Sequence, residues 1–453
     1  MLSGGSIGVR SDTTLKHPGD VVRVVTRLDD PVDVGGLELR NRLYRAPLLE
    51  CAGTDADTAD ALRRDLEPAA ASGAGLVCQG ATIVRGEGGC AAPNMTRVHD
   101  DAFVQALAPV PAAIEERGGR VFAQLEHGGL RSMEVWHAEY REEHPGVEQL
   151  AVSRPPLPMR LADRAGFLDL SPRVLSTDEV YDLAADFGRA AERLADAGYH
   201  GLHVAGANMG VVQQFLSPFY NRRDDEFADG FRFLELLHDE IRSRTDLPLI
   251  TKIPAETRAP PGIRRHLSAD DCVDLCERAA DAGFDAVVPV SGSVFWDMHI
   301  VRGEYPERAW RDGQFQSGYA AAFGSRWRAK LVSLANRVQA RRATFEPAWN
   351  ADLCRRVRER VDVPVLLEGG VRERERIDRL LGDACDLVGM GRPFYAEPRL
   401  PARLLDDHGS VAVCENCNNC TVPQATGAPG VCRTPSVLAE RGRLEREDAY
   451  ERE

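Results

Sequence analysis

The chain has 453 residues, 43% of them apolar and 28% charged, with a formal net charge of -14 and eleven cysteines. No apolar run reaches the roughly 18 residues that span a bilayer, so a membrane-spanning helix is not expected. The acidic balance, spread along the chain, gives no basic patch for nucleic acid.

Residues 1–30 carry Arg10, Lys16, Asp20 and Arg23 without an apolar core. They read as an N-terminal extension and not as a secretory signal, so a cytoplasmic location is expected. Eight short apolar runs follow in order. They are Leu43–Leu48, Leu76–Val84, Arg120–Leu125, Gly201–Ala205, Pro248–Ile253, Ala286–Val290, Val363–Leu367 and Leu387–Gly389. Several are preceded by a helical pattern ending in Gly, as in Ala195-Asp-Ala-Gly198 and Ala280-Asp-Ala-Gly283. There Gly supplies the left-handed residue that stops a helix, and the run has the length of a buried parallel strand. Ser176-x-x-Glu179 reads as a capping box, with Val180, Leu183, Phe187, Ala191 and Leu194 on one helical face. Eight strands alternating with helices predict an α/β fold, a (β/α)8 barrel over residues 31–405, with an open doubly wound sheet as the alternative. No G-x-G-x-x-G follows a strand, so nothing marks a separate dinucleotide-binding domain.

The gap from Ser291 to Asn350 exceeds an ordinary connection and carries Trp296, Tyr305, Trp310, Tyr319 and Trp327. A lid over the barrel mouth and an insertion packed on the outside both fit it. Strand seven ends in Glu368-Gly-Gly-Val371 and strand eight in Gly389-Met-Gly-Arg-Pro-Phe394. Barrels of this type commonly hold phosphate at these two ends, which makes Gly369, Gly370, Gly391 and Arg392 candidate phosphate contacts.

Near the end, Cys414-x2-Cys417-x2-Cys420-x11-Cys432 forms a cysteine segment over 406–435, followed by a charged tail over 436–453. Such spacing suits the corners of an iron-sulfur cluster, with zinc as the alternative. Cys78 and Cys385, beside apolar runs, read as small core residues.

These segments together resemble the Old Yellow Enzyme superfamily, in particular the branch of 2,4-dienoyl-CoA reductase and trimethylamine dehydrogenase. The resemblance runs from about Val34 to Cys432. It rests on Gly35–Pro47, Gly73–Ala81, Gln124-Leu-Glu-His127, Gln214–Arg223, Glu368–Val371 and Gly391–Phe394. It implies FMN, with Pro47, Leu48 and Gly80 or Ala81 against the ring, Gln124 on its pyrimidine edge and Lys252 near N1 and O2. It also implies a [4Fe-4S] centre on the four cysteines. After strand four the family pattern His-x-x-His/Asn-x-Tyr is replaced by Ala205-Gly-Ala-Asn208-Met-Gly210. Only Asn208 survives of its substrate-binding and proton-donating residues. His203, two residues before Ala205, shares its facing direction; a ligand contact and a satisfied core histidine both remain open. His127 is supported by its family match, while Glu126 stands where Trp is common.

The implied function is hydride transfer between FMN and a small organic substrate. Single electrons would pass through the cluster to a separate carrier protein, since the sequence ends about twenty residues after Cys432. Direct reduction of FMN by NAD(P)H with structural cysteines is one alternative, and a non-catalytic flavin-binding subunit is another. A homo-oligomer is left open.

Overall fold

The computed structural model describes residues 26–451 apart from 258, 260, 262, 293–295 and 297–300. Most of the expected N-terminal extension, and part of the segment after strand six, lie outside the described residues.

Eight parallel strands form the core: β1 (Leu43–Arg45), β2 (Leu76–Ile83), β3 (Arg120–Glu126), β4 (Gly201–Val204), β5 (Leu249–Ala255), β6 (Ala286–Ser291), β7 (Leu366–Glu368) and β8 (Leu387–Met390). They pair in the order β6-β5-β4-β3-β2-β1-β8-β7. The bridge between Val287 and Val365 brings β6 to β7 and closes the ring. The structure is therefore the expected (β/α)8 barrel, and the open sheet is excluded. Each strand is followed by an outer helix: α1 (Thr58–Ala71), α2 (Pro109–Glu116), α3 (Thr177–Asp196), α4 (Phe231–Arg242), α5 (Ala269–Asp281), α6 (Ala351–Arg358), α7 (Arg374–Leu380) and α8 (Leu400–Asp406).

The strands alternate cleanly. Val121, Ala123 and Leu125 of β3 pack outward into the helices. Phe122 packs inward with Tyr44, Leu76, Cys78, Ile250, Val288 and Leu366. An antiparallel hairpin, Val32–Val34 with Leu37–Leu39, adds Val34 and Leu39 to that inner cluster and plugs the end where the strands begin. Two inward positions must be glycine. A Cβ on Gly201 would lie 2.3 Å from the Phe122 ring, and one on Gly389 would lie 2.2 Å from the Tyr44 ring. Small and large residues thus share the narrow interior. The capping box at Ser176 and Glu179 is formed, and all five apolar residues predicted on that helix face are fully buried.

The segment between β6 and β7 does two things. Trp296 reaches Phe219 beside the mouth, with ring centroids 5.3 Å apart. The remainder, including a helix at Arg326–Arg342, packs on the cysteine loop through Phe315, Tyr319 and Trp310 against Val422 and Ala428. The charged tail, whose sequence reads as a solvated helix or a disordered segment, is helical and partly buried. Pro435–Arg446 is a helix (α9) whose Val437 and Leu444 are buried, and the Tyr450 hydroxyl donates to Glu397 at 2.8 Å. Three apolar side chains outweigh the charged majority because the latter can all face water.

Candidate functional site

Inward-facing residues at the C-terminal ends of the strands form a polar layer above the apolar interior. Gln124 on β3 lies directly beside His203 on β4, as the strand register requires. Lys252 follows on β5 and Glu368 on β7. The Lys252 ammonium donates to Glu368 at 2.7 Å, and the Tyr44 hydroxyl donates to the same carboxylate at 3.0 Å. The anionic partner that a buried lysine demands is thus supplied within the barrel by Glu368. Burial, reinforced by that carboxylate, holds the Tyr44 phenol well above its usual range.

Beside this pair lies a group of buried polar atoms with no hydrogen-bond partner among the described residues. It comprises Gln124 Nε2, Glu126 Oε1, both ring nitrogens of His203, Asn208 Oδ1 and the Tyr220 hydroxyl. Native structures rarely leave such atoms unpaired, and these six, on β3, β4 and the loops after β4, mark a place that a polar ligand completes. Burial, reinforced by the Lys252 charge, holds His203 neutral, well below the usual imidazole range. The same desolvation raises Glu126, opposed by Arg131 and Lys252. Arg131 also donates to the Asn208 carbonyl at 2.7 Å. Asn208 and Met209 take φ of 65° and 63°, a left-handed turn that swings the chain across the strand end.

Around the same rim the glycine positions set close approaches. A Cβ on Gly80 would stand 1.2 Å from the Leu48 carbonyl oxygen, and one on Gly391 would stand 3.1 Å from the Leu48 side chain. Leu48, next to Pro47, is therefore held between the ends of β1, β2 and β8. Ala81 packs with Leu49 against Ile83, Cys90 and Met95. Gly369 and Gly370 both have positive φ and lie under the indole of Trp349.

Two candidates stand elsewhere. His127 is one residue past Glu126 and so faces outward. Its Nδ1 accepts from the Gly129 N–H at 3.1 Å, its ring packs on Gly89, and burial brings it down to about 3. It lines an outer groove with His99, His144 and Arg85, away from the polar layer. The other is Arg392. Its guanidinium donates to Asn418 and, at 2.7 Å, to the Arg302 carbonyl.

That places Arg392 at the cysteine loop. Cys414, Cys417, Cys420 and Cys432 line one cavity with Arg392, Asn416 and Asn418. Asn416 and Asn418, with φ of 56° and 60°, curl the backbone so that the alternate cysteines turn inward. All eleven cysteines are free thiols, and burial pushes Cys420 up to about 12. Among the described residues no three His, Cys, Asp or Glu side chains are gathered closely enough to hold a single metal ion. A compact tetrahedral zinc site is therefore not preformed. The Ser291–Asn350 insertion braces the loop: Asn418 donates to the Val301 and Glu304 carbonyls at 2.9 and 3.1 Å, and Asn419 accepts from the Ala309 N–H. Cys78 and Cys385 are fully buried in the core, as expected.

Comparison with known proteins agrees with this geometry. Residues 27–241, which contain β1 to β4 and the polar layer on them, match the NADH:flavin oxidoreductase / NADH oxidase family. The chain is thus similar to that family over the half that carries β1 to β4. An NADH oxidase of Thermoanaerobacter brockii is 23% identical over 88% of this chain and 56% of its own length. A 4,4'-dithiodibutanoate disulfide reductase of Rhodococcus erythropolis is 24% identical over 92% of this chain and 97% of its own. The structure of 6-hydroxypseudooxynicotine amine oxidase from Pseudomonas geniculata N1 superposes with a TM-score of 0.69 at 20% identity, over 92% of this chain and 55% of that one. The chain spans about half the length of the curated relatives it matches first.

Sequence reasoning missed Arg131, Tyr220 and the partnership of Glu368 with Lys252. Strand alternation from Gln124 does point to Glu126 as an inward residue. Nothing local points to Arg131 or Tyr220, which are brought in by loops.

Proposed function

We propose that the chain is an FMN-dependent oxidoreductase that moves a hydride between flavin and a small organic substrate, with a [4Fe-4S] cluster on Cys414, Cys417, Cys420 and Cys432. The observation that carries this reading is the set of six unpaired buried polar atoms on β3, β4 and the following loops of a barrel similar to the NADH:flavin oxidoreductase family. Bound FMN supplies the two-electron centre. Gln124 suits the pyrimidine edge because its amide both donates and accepts. Pro47, Leu48 and Ala81 supply the apolar rim for the ring, and Lys252 supplies positive charge, tempered by Glu368. The backbone N–H groups of the Gly369-Gly370 and Gly391 turns would hold the phosphate. Arg392 lines the cysteine cavity, where its charge would favour the bound cluster. His203 and Asn208 face the substrate, whereas His127 supports the strand-three end from outside.

Four thiols lining one cavity are the donor set that an iron-sulfur cluster takes. Domains follow accordingly: barrel to about 405, cysteine segment to 435, then a helical tail that packs back on the barrel. Electrons leave or enter through a separate carrier. The test is an absorbance spectrum of the purified chain with iron and sulfide analysis; flavin bands and about four irons per chain are expected. Colourless protein refutes the reading. The second reading, direct reduction by NAD(P)H with structural cysteines, is favoured by the absence of a tight metal-binding group among the described residues. Flavin bands without iron, bleached by anaerobic NADH or NADPH, would establish it.

A further inference from the structure

The substrate end of the barrel needs a group that exchanges a proton with the substrate as hydride moves, and the side chains after β4 do not supply one. Ala205 and Gly210 carry no ionisable atom. The other candidates at this end are already engaged or lie far from neutrality. His203 is held neutral by burial and the Lys252 charge, and the Tyr220 phenol is raised well above its usual range. Lys252, Glu368 and Tyr44 are bound to one another. Glu126 is different. It faces inward at the end of β3, two residues from Gln124 on the same side of the strand, and its carboxyl is buried. Its Oε1 has no partner and lies 3.2 Å from the point where a Cβ on Gly210 would stand. The carboxyl therefore occupies the space that a side chain at position 210 would otherwise fill.

From this placement we infer that Glu126 is the acid–base residue of the substrate site, acting from strand three on a substrate bound against His203 and Asn208. The inference rests on the flavin oxidoreductase reading. In the reducing direction the substrate takes a hydride, and with it two electrons, at one atom of an activated double bond from reduced FMN. The adjacent atom takes the proton of the Glu126 carboxyl, whose O–H bond breaks to leave a carboxylate that water reprotonates. In the oxidising direction the carboxylate accepts the proton as hydride leaves the neighbouring carbon. The charged groups that Glu126 feels are Arg131, from the turn after its own strand, and Lys252 on β5. Both favour the carboxylate, while burial favours the acid and is the larger effect, which suits a group that must cycle between the two.

The test uses the FMN-loaded full chain, wild type and Glu126→Gln, with Glu126→Asp as the acid-retaining control. Infrared difference spectra recorded across a pH titration are expected to show a carboxylic acid band in wild type that persists to higher pH than that of an ordinary glutamate, in the direction burial pushes it. That band disappears in Glu126→Gln. With 2-cyclohexen-1-one as the probe, reoxidation of the reduced flavin falls at least about 100-fold in Glu126→Gln, and Glu126→Asp regains about tenfold or more of it. A band that survives the substitution, or reoxidation of Glu126→Gln within threefold of wild type, overturns the inference. A colourless wild type would fail the flavin reading itself, whereas yellow protein without the band fails only the role of Glu126.

Discussion

Replacing Lys252 by Met removes the cation from the buried pair with Glu368 while keeping most of the side-chain volume. The two groups are 2.7 Å apart, and their side chains are only 5% and 14% exposed, so solvent screens them little. Removing one member of such a pair leaves the other desolvated without compensation, at a cost of about 3–5 kcal/mol. The Tyr44 hydroxyl, still donating to Glu368 at 3.0 Å, offsets part of that, which puts Lys252→Met near the lower bound. Glu368→Gln strands the ammonium instead, with a penalty of similar size. In the double variant neither charge remains, so most of the loss is recovered and a coupling energy of at least about 2 kcal/mol is expected. The assay is urea unfolding of the flavin-free protein, because bound FMN would add its own stabilisation. Single penalties that simply add in the double variant would refute the reasoning, since they would mean the pair is not energetically one unit.

Three further outcomes follow from the same geometry. Gly201→Ala drives a methyl to within 2.3 Å of the Phe122 ring and costs about 1–3 kcal/mol, and adding Phe122→Leu restores more than half of it in thermal unfolding. Ser176→Ala removes the oxygen that accepts from the Glu179 N–H and lowers stability by about 1 kcal/mol; an unchanged unfolding midpoint would show that the cap is energetically idle. His127, brought down to about 3 in the fold, stays neutral where the unfolded chain binds a proton, so stability falls as pH drops from 6.5 toward 3. At pH 5 the penalty is about 2 kcal/mol relative to pH 7. Urea midpoints of His127→Gln at the two pH values should therefore differ less than those of wild type, although His203 retains a contribution of the same sign.

Much of the fold was legible in the chain because it rests on local, repeated signals. Gly198 and Gly283 stop helices at φ of 87° and 99°, and the apolar run after each is a strand within a residue or two of its expected limits. Alternation within a strand fixes facing direction, which is why Gln124 and Lys252 point inward together while His127, one residue beyond Glu126, cannot join them. The spacing of the four cysteines likewise implied their shared cavity. The tertiary structure alone decided which groups meet. Glu368 and Lys252 are 116 residues apart, and only closure of the ring sets one against the other. Arg392 reads locally as a phosphate ligand, yet Asn418 and the Arg302 carbonyl, from two distant loops, hold its guanidinium at the cysteines. Glu126 gains its position because Gly210, 84 residues later, leaves the space open, and a vacancy of that kind exists only once strands three and four lie side by side.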